Sequence, residues 1–234
     1  MKTYQNWDND DEQRRIKDEK QEQVVGNFLD NNFYPQFTTT ITRNHEKTSQ
    51  LKGLDVTVTS TNQNVYTIDE KAAVQWANRN LRTFALEIDS LNKKGNLYEG
   101  WFMHGVHQNE VLNKYWLFVW VDSATTADFT SESEIEQVTV CLVDKRDVYS
   151  WLNKKNITKT LLETEAKELR EKNKKNDNFN YKFINNIKMT IQTKYKERAI
   201  NLLMPRQSLV NEIATYSAVV KKNKIEPITR KMGI

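Results

Sequence analysis

Apolar positions along the chain switch several times between helical and strand spacing. From Asp10 to Leu29, Ile16, Val24, Val25, Phe28 and Leu29 fall on one side of a helix whose first turn is weighted with acids. Phe37 to Arg43, threonine-rich around Ile41, predicts a first strand. Gly53-Leu54-Asp55-Val56-Thr57-Val58 and Tyr66-Thr67-Ile68-Asp69-Glu70-Lys71-Ala72 then alternate as half-buried strands do, and the polar Thr61-Asn62-Gln63 predicts a short hairpin loop between them. Phe84-Ala85-Leu86-Glu87-Ile88 is a short apolar run interrupted by an acid, and Gly95 to Trp101 predicts a turn entering a strand. Lys114 to Asp122 is continuously apolar inside its two charged ends, which suits a central strand. Gln137 to Val143 predicts another strand, and Arg146 to Lys154 a short amphipathic helix through Val148, Trp151 and Leu152.

Beyond about residue 155 the pattern changes. Lys159 to Lys175 predicts a highly charged helix, and Lys172 to Asn178 a polar break. Phe179 to Met204 reads as mixed strand or helix. After Pro205, Ser208 to Val220 reads as an amphipathic helix that packs through Leu209, Ile213 and Val220. Lys188, Lys194, Lys196 and Arg198 could line a phosphate groove or form a solvated face.

The hairpin carries the chemistry. Side chains on a strand alternate between faces, so Asp55, Thr57 and Thr59 share one face, and Thr67, Asp69 and Lys71 share one face of the next strand. If the loop is Thr61 to Gln63, Ser60 pairs with Asn64 and the ladder sets Asp55 opposite Asp69. Directly opposed residues have Cβ atoms about 4.5 to 5.5 Å apart, where two carboxylates repel and call for a cation. Magnesium suits such a pair, because it takes oxygen ligands and is commonly held by one or two carboxylates together with substrate phosphates. Lys71 can position an attacking water or stabilise developing charge, which makes phosphodiester hydrolysis the natural assignment. The competing reading is an ion cluster on an exposed sheet face. Asp18-Glu19-Lys20 and Glu165-Ala166-Lys167 repeat the tripeptide in helical stretches, where it reads as a solvated face.

Asp55, thirteen intervening residues and Asp69-Glu70-Lys71 resemble the PD-(D/E)xK, restriction-endonuclease-like nuclease superfamily. Gly53-Leu54 stands where that family often has Pro or another small residue before the Asp. The resemblance is carried by residues 53 to 72 and extends loosely from about 12 to 122. It implies an α/β fold, with a mixed central sheet flanked by helices; the residue pattern closes that core, residues 1–155, at about 155 and reads 156–234 as a basic, mainly helical extension packed on the same domain. It implies a magnesium-dependent DNA endonuclease, with manganese as a substitute, in which Asp55 and Asp69 bind metal and Lys71 assists the chemistry. An acid on the first helix often completes the family's metal shell, which makes Glu22 the candidate and Glu19 the next. The alternative is that both are plain exposed helix glutamates.

Gln75, Trp76, Arg79 and Arg82, which follow Lys71 directly, combine phosphate-binding cations with an aromatic surface and are candidate substrate contacts; Trp76 in a core is the alternative. Glu87 is an extra acid that could lie near the metal. His104 and His107 lack a Cys or third His and read as hydrogen-bonding groups rather than metal ligands.

Composition adds bounds. At 234 residues, 38% hydrophobic with six tryptophans, the chain can build a core, while 28% charged residues and a mean hydropathy of −0.78 leave a polar exterior. A membrane span, an apolar leader and an internal disulfide are not expected, since Cys141 is the only cysteine, and a cytoplasmic location follows. The formal charge of +4 permits nucleic acid as partner, DNA ahead of RNA. Frequent asparagine with only six glycines reads as compositional bias. A homodimer would suit two-strand cutting, although no coiled-coil signal specifies one. The runner-up in a different class is a non-catalytic nucleic-acid-binding or protein-interaction module on the same fold.

Overall fold

The computed structural model describes residues 4–44, 54–92, 94–104, 114–176 and 178–230, with backbone alone for 4–11, 104 and 230. Two compact units are each assembled from separated segments: residues 1–81, 112–144 and 214–234 form the first, and residues 82–111 and 145–213 the second. The chain passes between the units after residues 81, 111, 144 and 213.

In the first unit a long helix, α1 (Tyr4–Asn32), precedes the meander β1 (Thr38–Arg43), β2 (Val56–Ser60) and β3 (Val65–Ala72). Then come β6 (Tyr115–Ala124), β7 (Ile135–Asp144), β11 (Tyr216–Lys221) and β12 (Lys224–Arg230). They form one seven-stranded sheet in the order β1-β2-β3-β6-β7-β11-β12. Among the described residues only β3 and β6 pair in parallel, which requires a long connection between them, and the second unit's first segment occupies it. β6 is central, and its first seven residues are buried. Val56, Val58, Ile68, Leu117, Val119, Val138 and Val140 form a core cluster with Val25, Phe28 and Leu29 of α1. Trp116, Phe118, Trp120 and Cys141, at the intervening strand positions, are buried as well.

In the second unit β4 (Thr83–Leu91), β5 (Leu97–Glu99), β8 (Tyr181–Ile184), β9 (Ile187–Ile191) and β10 (Ile200–Pro205) form an antiparallel sheet in the order β5-β4-β10-β9-β8. Helices α2 (Trp101–His104), α3 (Lys145–Lys154) and α4 (Lys159–Lys175) accompany it. Thr158 caps α4, its hydroxyl accepting from the Leu161 amide at 3.2 Å. One face of the sheet is lined by Phe84, Leu86, Met189, Leu202 and Met204, all buried, while α4 buries Leu162, Ala166 and Leu169.

The expected α/β core with a mainly helical C-terminal extension is overturned. Twelve strands in a mixed seven-stranded and an antiparallel five-stranded sheet dominate, with few helices among the described residues. Past α4 the chain runs through β8, β9 and β10. The stretch read as a helix from Ser208 to Val220 is a single π-turn, Ser208–Ile213, followed by β11. β-Branched and aromatic residues such as Tyr216, Val219 and Val220 favour the pleated surface, where alternate positions bury Tyr216, Ala218 and Val220. Asn185 and Asn186, at φ of 46° and 69°, close the β8–β9 hairpin in a two-residue loop that needs left-handed backbone.

Candidate active site

The site is built on the β2–β3 hairpin. The pairs Val56 with Ile68, Thr57 with Thr67, Val58 with Tyr66 and Thr59 with Val65 continue into a 2.8 Å bond from the Ser60 amide to the Asn64 carbonyl. The loop is Thr61 to Gln63, with Gln63 at a φ of 64°. Extending this register by one pair sets Asp55 opposite Asp69, as the alternation predicts. Asp55 precedes the first residue of β2; its carbonyl accepts from the Asn44 amide at 2.9 Å and its Oδ2 from the Glu70 amide at 2.9 Å.

Asp69 is 5% exposed and is held from two sides. Lys71 Nζ forms an ion pair with its Oδ1, and the indole N–H of the buried Trp116 donates to its Oδ2 at 3.1 Å. Trp116 lies directly beside Asp69 because β3 and β6 run in parallel. The Asp55 carboxyl faces Asp69 across the hairpin, close enough for the two to interact electrostatically. Burial pushes Asp55 up to about 7; Lys71 opposes the rise, and Asp69 and Glu70 add to it. Burial by itself would lower Lys71, but the charges of Asp69 and Asp55, with Glu22 behind them, raise it. Lys71 is thus held as a cation by the acids around it.

Glu22 sits on α1 within electrostatic reach of Lys71. Loss of hydration raises its pKa to about 7, with Lys71 opposing and Asp18 and Glu19 reinforcing; its side chain remains exposed, so water offsets part of the effect. It does not join Asp55 and Asp69 in a converged donor set: among the described residues no group of three or more His, Cys, Asp or Glu side chains could hold a metal ion. Two carboxylates remain, a number that magnesium commonly takes from a protein. Glu19 is exposed.

Glu70, between the two motif residues, points to the other face of β3 and is a structural anchor that the sequence reading missed. Arg43 donates to its Oε2 at 2.7 Å, and the Tyr34 hydroxyl donates to its Oε1. The same guanidinium bonds Asp30 at 2.6 and 2.9 Å and the Gly26 carbonyl at 2.8 Å. Gly26 leaves room for the guanidinium, since a Cβ there would lie 2.9 Å from Arg43 Cζ and the Arg43 side chain would have to shift. This network ties α1, β1 and β3 together directly behind the Asp69-Lys71 pair. Trp116 was also legible in principle, because a fully buried indole N–H needs an acceptor.

Gln75 and Trp76 lie on a 3-10 turn, Val74–Trp76, whose Val74 is buried along with the following Ala77. That anchoring turns the other two outward: Gln75 donates to Asp18 at 2.6 Å, and Trp76 is 45% exposed with the Arg79 guanidinium 5.5 Å from its ring. Trp76 is therefore not a core residue. Asn78 fixes the segment by exchanging bonds of 2.8 and 2.9 Å with the Ala124 backbone. Arg82 and Glu87 belong to the second unit, where Arg82 is exposed and Glu87 accepts from Ser90 at 2.6 Å. Gly53, His107 and the His104 side chain lie outside the described residues.

A separate cavity of about 80 Å³ in the first unit is almost wholly apolar, lined by Phe33, Phe37, Tyr66, Tyr115 and Tyr216 among others, and contains no carboxylate. No helix among the described residues is long and apolar enough to cross a membrane. Comparison of the chain with protein-family models, with curated proteins and with solved structures finds no match.

Proposed function

We propose that the first unit is a divalent-metal-dependent nuclease acting on DNA phosphodiesters, through a site of the PD-(D/E)xK kind carried on a mostly β framework. The observation that carries this reading is the convergence of Asp55, Asp69 and Lys71, two neighbouring carboxyls with a cation clamped against one of them. The donor chemistry fits magnesium: both groups are hard oxygen ligands, their charges are held close, and a cation would displace the proton on Asp55. A bound divalent ion would lower the pKa of its water and offset charge gathering on phosphorus.

The chain's own residues do the rest. Trp116 fixes the orientation of Asp69 through its indole N–H. Lys71, kept protonated by its acids, can hydrogen-bond an attacking water or the developing phosphorane charge. Glu22 adds negative potential at Lys71. Exposed Trp76, with Arg79 stacked on it, offers a base-stacking and phosphate-contacting surface next in sequence to Lys71. A cytoplasmic setting suits a chain whose one cysteine, Cys141, is buried and forms no disulfide.

The test is incubation with supercoiled, linear, single-stranded and branched DNA, and with RNA, in magnesium or manganese, against EDTA controls. Cleavage of DNA that stops in EDTA supports the assignment. No cleavage with any substrate, accompanied by retained binding, would transfer weight to a non-catalytic nucleic-acid-binding module.

A further inference from the structure

The outer face of the second unit's sheet carries a pattern that the catalytic site does not use. Two cross-strand rows define it: Phe183 beside Lys188, Leu203 and Ala85, and Tyr181 beside Thr190, Asn201 and Glu87. The opposite face is the apolar one, and Lys182, between the two aromatics, pairs with Glu165 and Glu168 of α4. Tyr181 and Phe183 are therefore left outward on the edge strand, 47% and 61% exposed, among the most exposed large apolar side chains of the described residues. Lys188 Nζ lies 4.3 Å from the Tyr181 ring centre. Lys194, in the loop that follows β9, is exposed. Glu87 is the acid on this face, three strands from Tyr181 and so about 14 Å away.

We propose that this face binds single-stranded nucleic acid, with bases stacking on Tyr181 and Phe183 and phosphates drawn to Lys188. The inference rests on the nuclease reading for its substrate class, while its geometry belongs to the second unit alone. Two exposed aromatics on an edge strand with a half-buried lysine beside them are the elements of a stacking platform, one confined to the β8–β9 edge because Asn201 is buried. The two rings are 5.9 Å apart and inclined at 84°. Bases covering both must splay apart and turn, since the rise of a stacked strand is about 3.4 Å per nucleotide. A single strand can do this and a duplex cannot. Charge complementarity points the same way, because Lys188 lies at the aromatic edge and Glu87 lies across the sheet.

The test measures fluorescence anisotropy of labelled 15-nucleotide oligo(dT), oligo(rU) and a 15-base-pair duplex in EDTA, so that binding is read without cleavage. Wild type should prefer the single strands. Tyr181→Ala and Phe183→Ala should each weaken binding about fivefold or more while leaving the melting curve unchanged, and Phe183→Tyr should retain it. Lys188→Gln should lower the dependence of affinity on salt by about one phosphate contact. Equal binding by the alanine variants, tighter binding to duplex, or a concentration-dependent dimer lost in Phe183→Ala would overturn the proposal. Because the readout is metal-free, its failure leaves a cleavage result standing, and a failure of cleavage leaves it standing.

Discussion

Asp55 makes the stability of the metal-free protein depend on pH in an unusual direction. Its carboxyl titrates at about 7 in the folded chain against an ordinary 3.8, so the folded state binds this proton more tightly than the unfolded state does. The resulting stabilisation is complete below the ordinary value and disappears as pH rises through 7. Proton linkage then gives a loss of roughly 2 to 3 kcal/mol between pH 5 and pH 8. Glu22, also raised to about 7, acts in the same direction with a smaller effect because of its exposure. Glu134, Glu171, Glu212 and Glu226 are lowered from 4.5 by their hydrogen bonds and lysines, and they act only below this window. The assay is urea unfolding in EDTA at pH 5, 6, 7 and 8, followed by tryptophan fluorescence, since Trp116 touches Asp69. Asp55→Asn keeps an acceptor for the Glu70 amide and removes the titration, so it should flatten the profile and exceed wild type in stability at pH 8. Magnesium at about 100 times its dissociation constant should restore roughly 2.7 kcal/mol to wild type at pH 8 and little to the variant. A flat wild-type profile in EDTA, or an unchanged slope in Asp55→Asn, would refute the reasoning.

Two further outcomes test the framework. Arg43→Met strips Glu70 and Asp30 of a shared, mostly buried partner and should cost about 3 kcal/mol in urea unfolding; a loss below about 1 kcal/mol would show the network to be incidental. In the second unit a Cβ on Gly100 would sit 2.4 Å from the Glu87 carbonyl oxygen, so Gly100→Ala should lower the melting temperature by several degrees, and an unchanged melt would contradict that packing.

The hairpin was legible because two simple constraints agree: period-two alternation decides the face, and a three-residue polar loop decides the register. Together they place Asp55 against Asp69. The apolar run of β6 likewise announced its central position. The C-terminal strands were hidden by asparagine. Asn78, Asn80, Asn156, Asn185, Asn186 and Asn223 all adopt positive φ, performing the turn work usually given to glycine. Read as compositional bias, they removed the punctuation that separates β8 from β9 and β11 from β12, and Leu209, Ile213 and Val220 then mimicked a helical stripe. The Arg43 network was invisible for a different reason. Residues 30, 34, 43 and 70 meet only through tertiary packing, and no local periodicity connects them.

The most direct test of the proposed site is the initial rate of DNA cleavage in magnesium by wild type, Asp69→Asn and Lys71→Ala, with circular dichroism establishing that all three are folded. The account predicts metal-dependent cleavage by wild type and a loss of at least about a hundredfold in each variant. Wild-type rates in both folded variants, or cleavage that persists in EDTA, would contradict it.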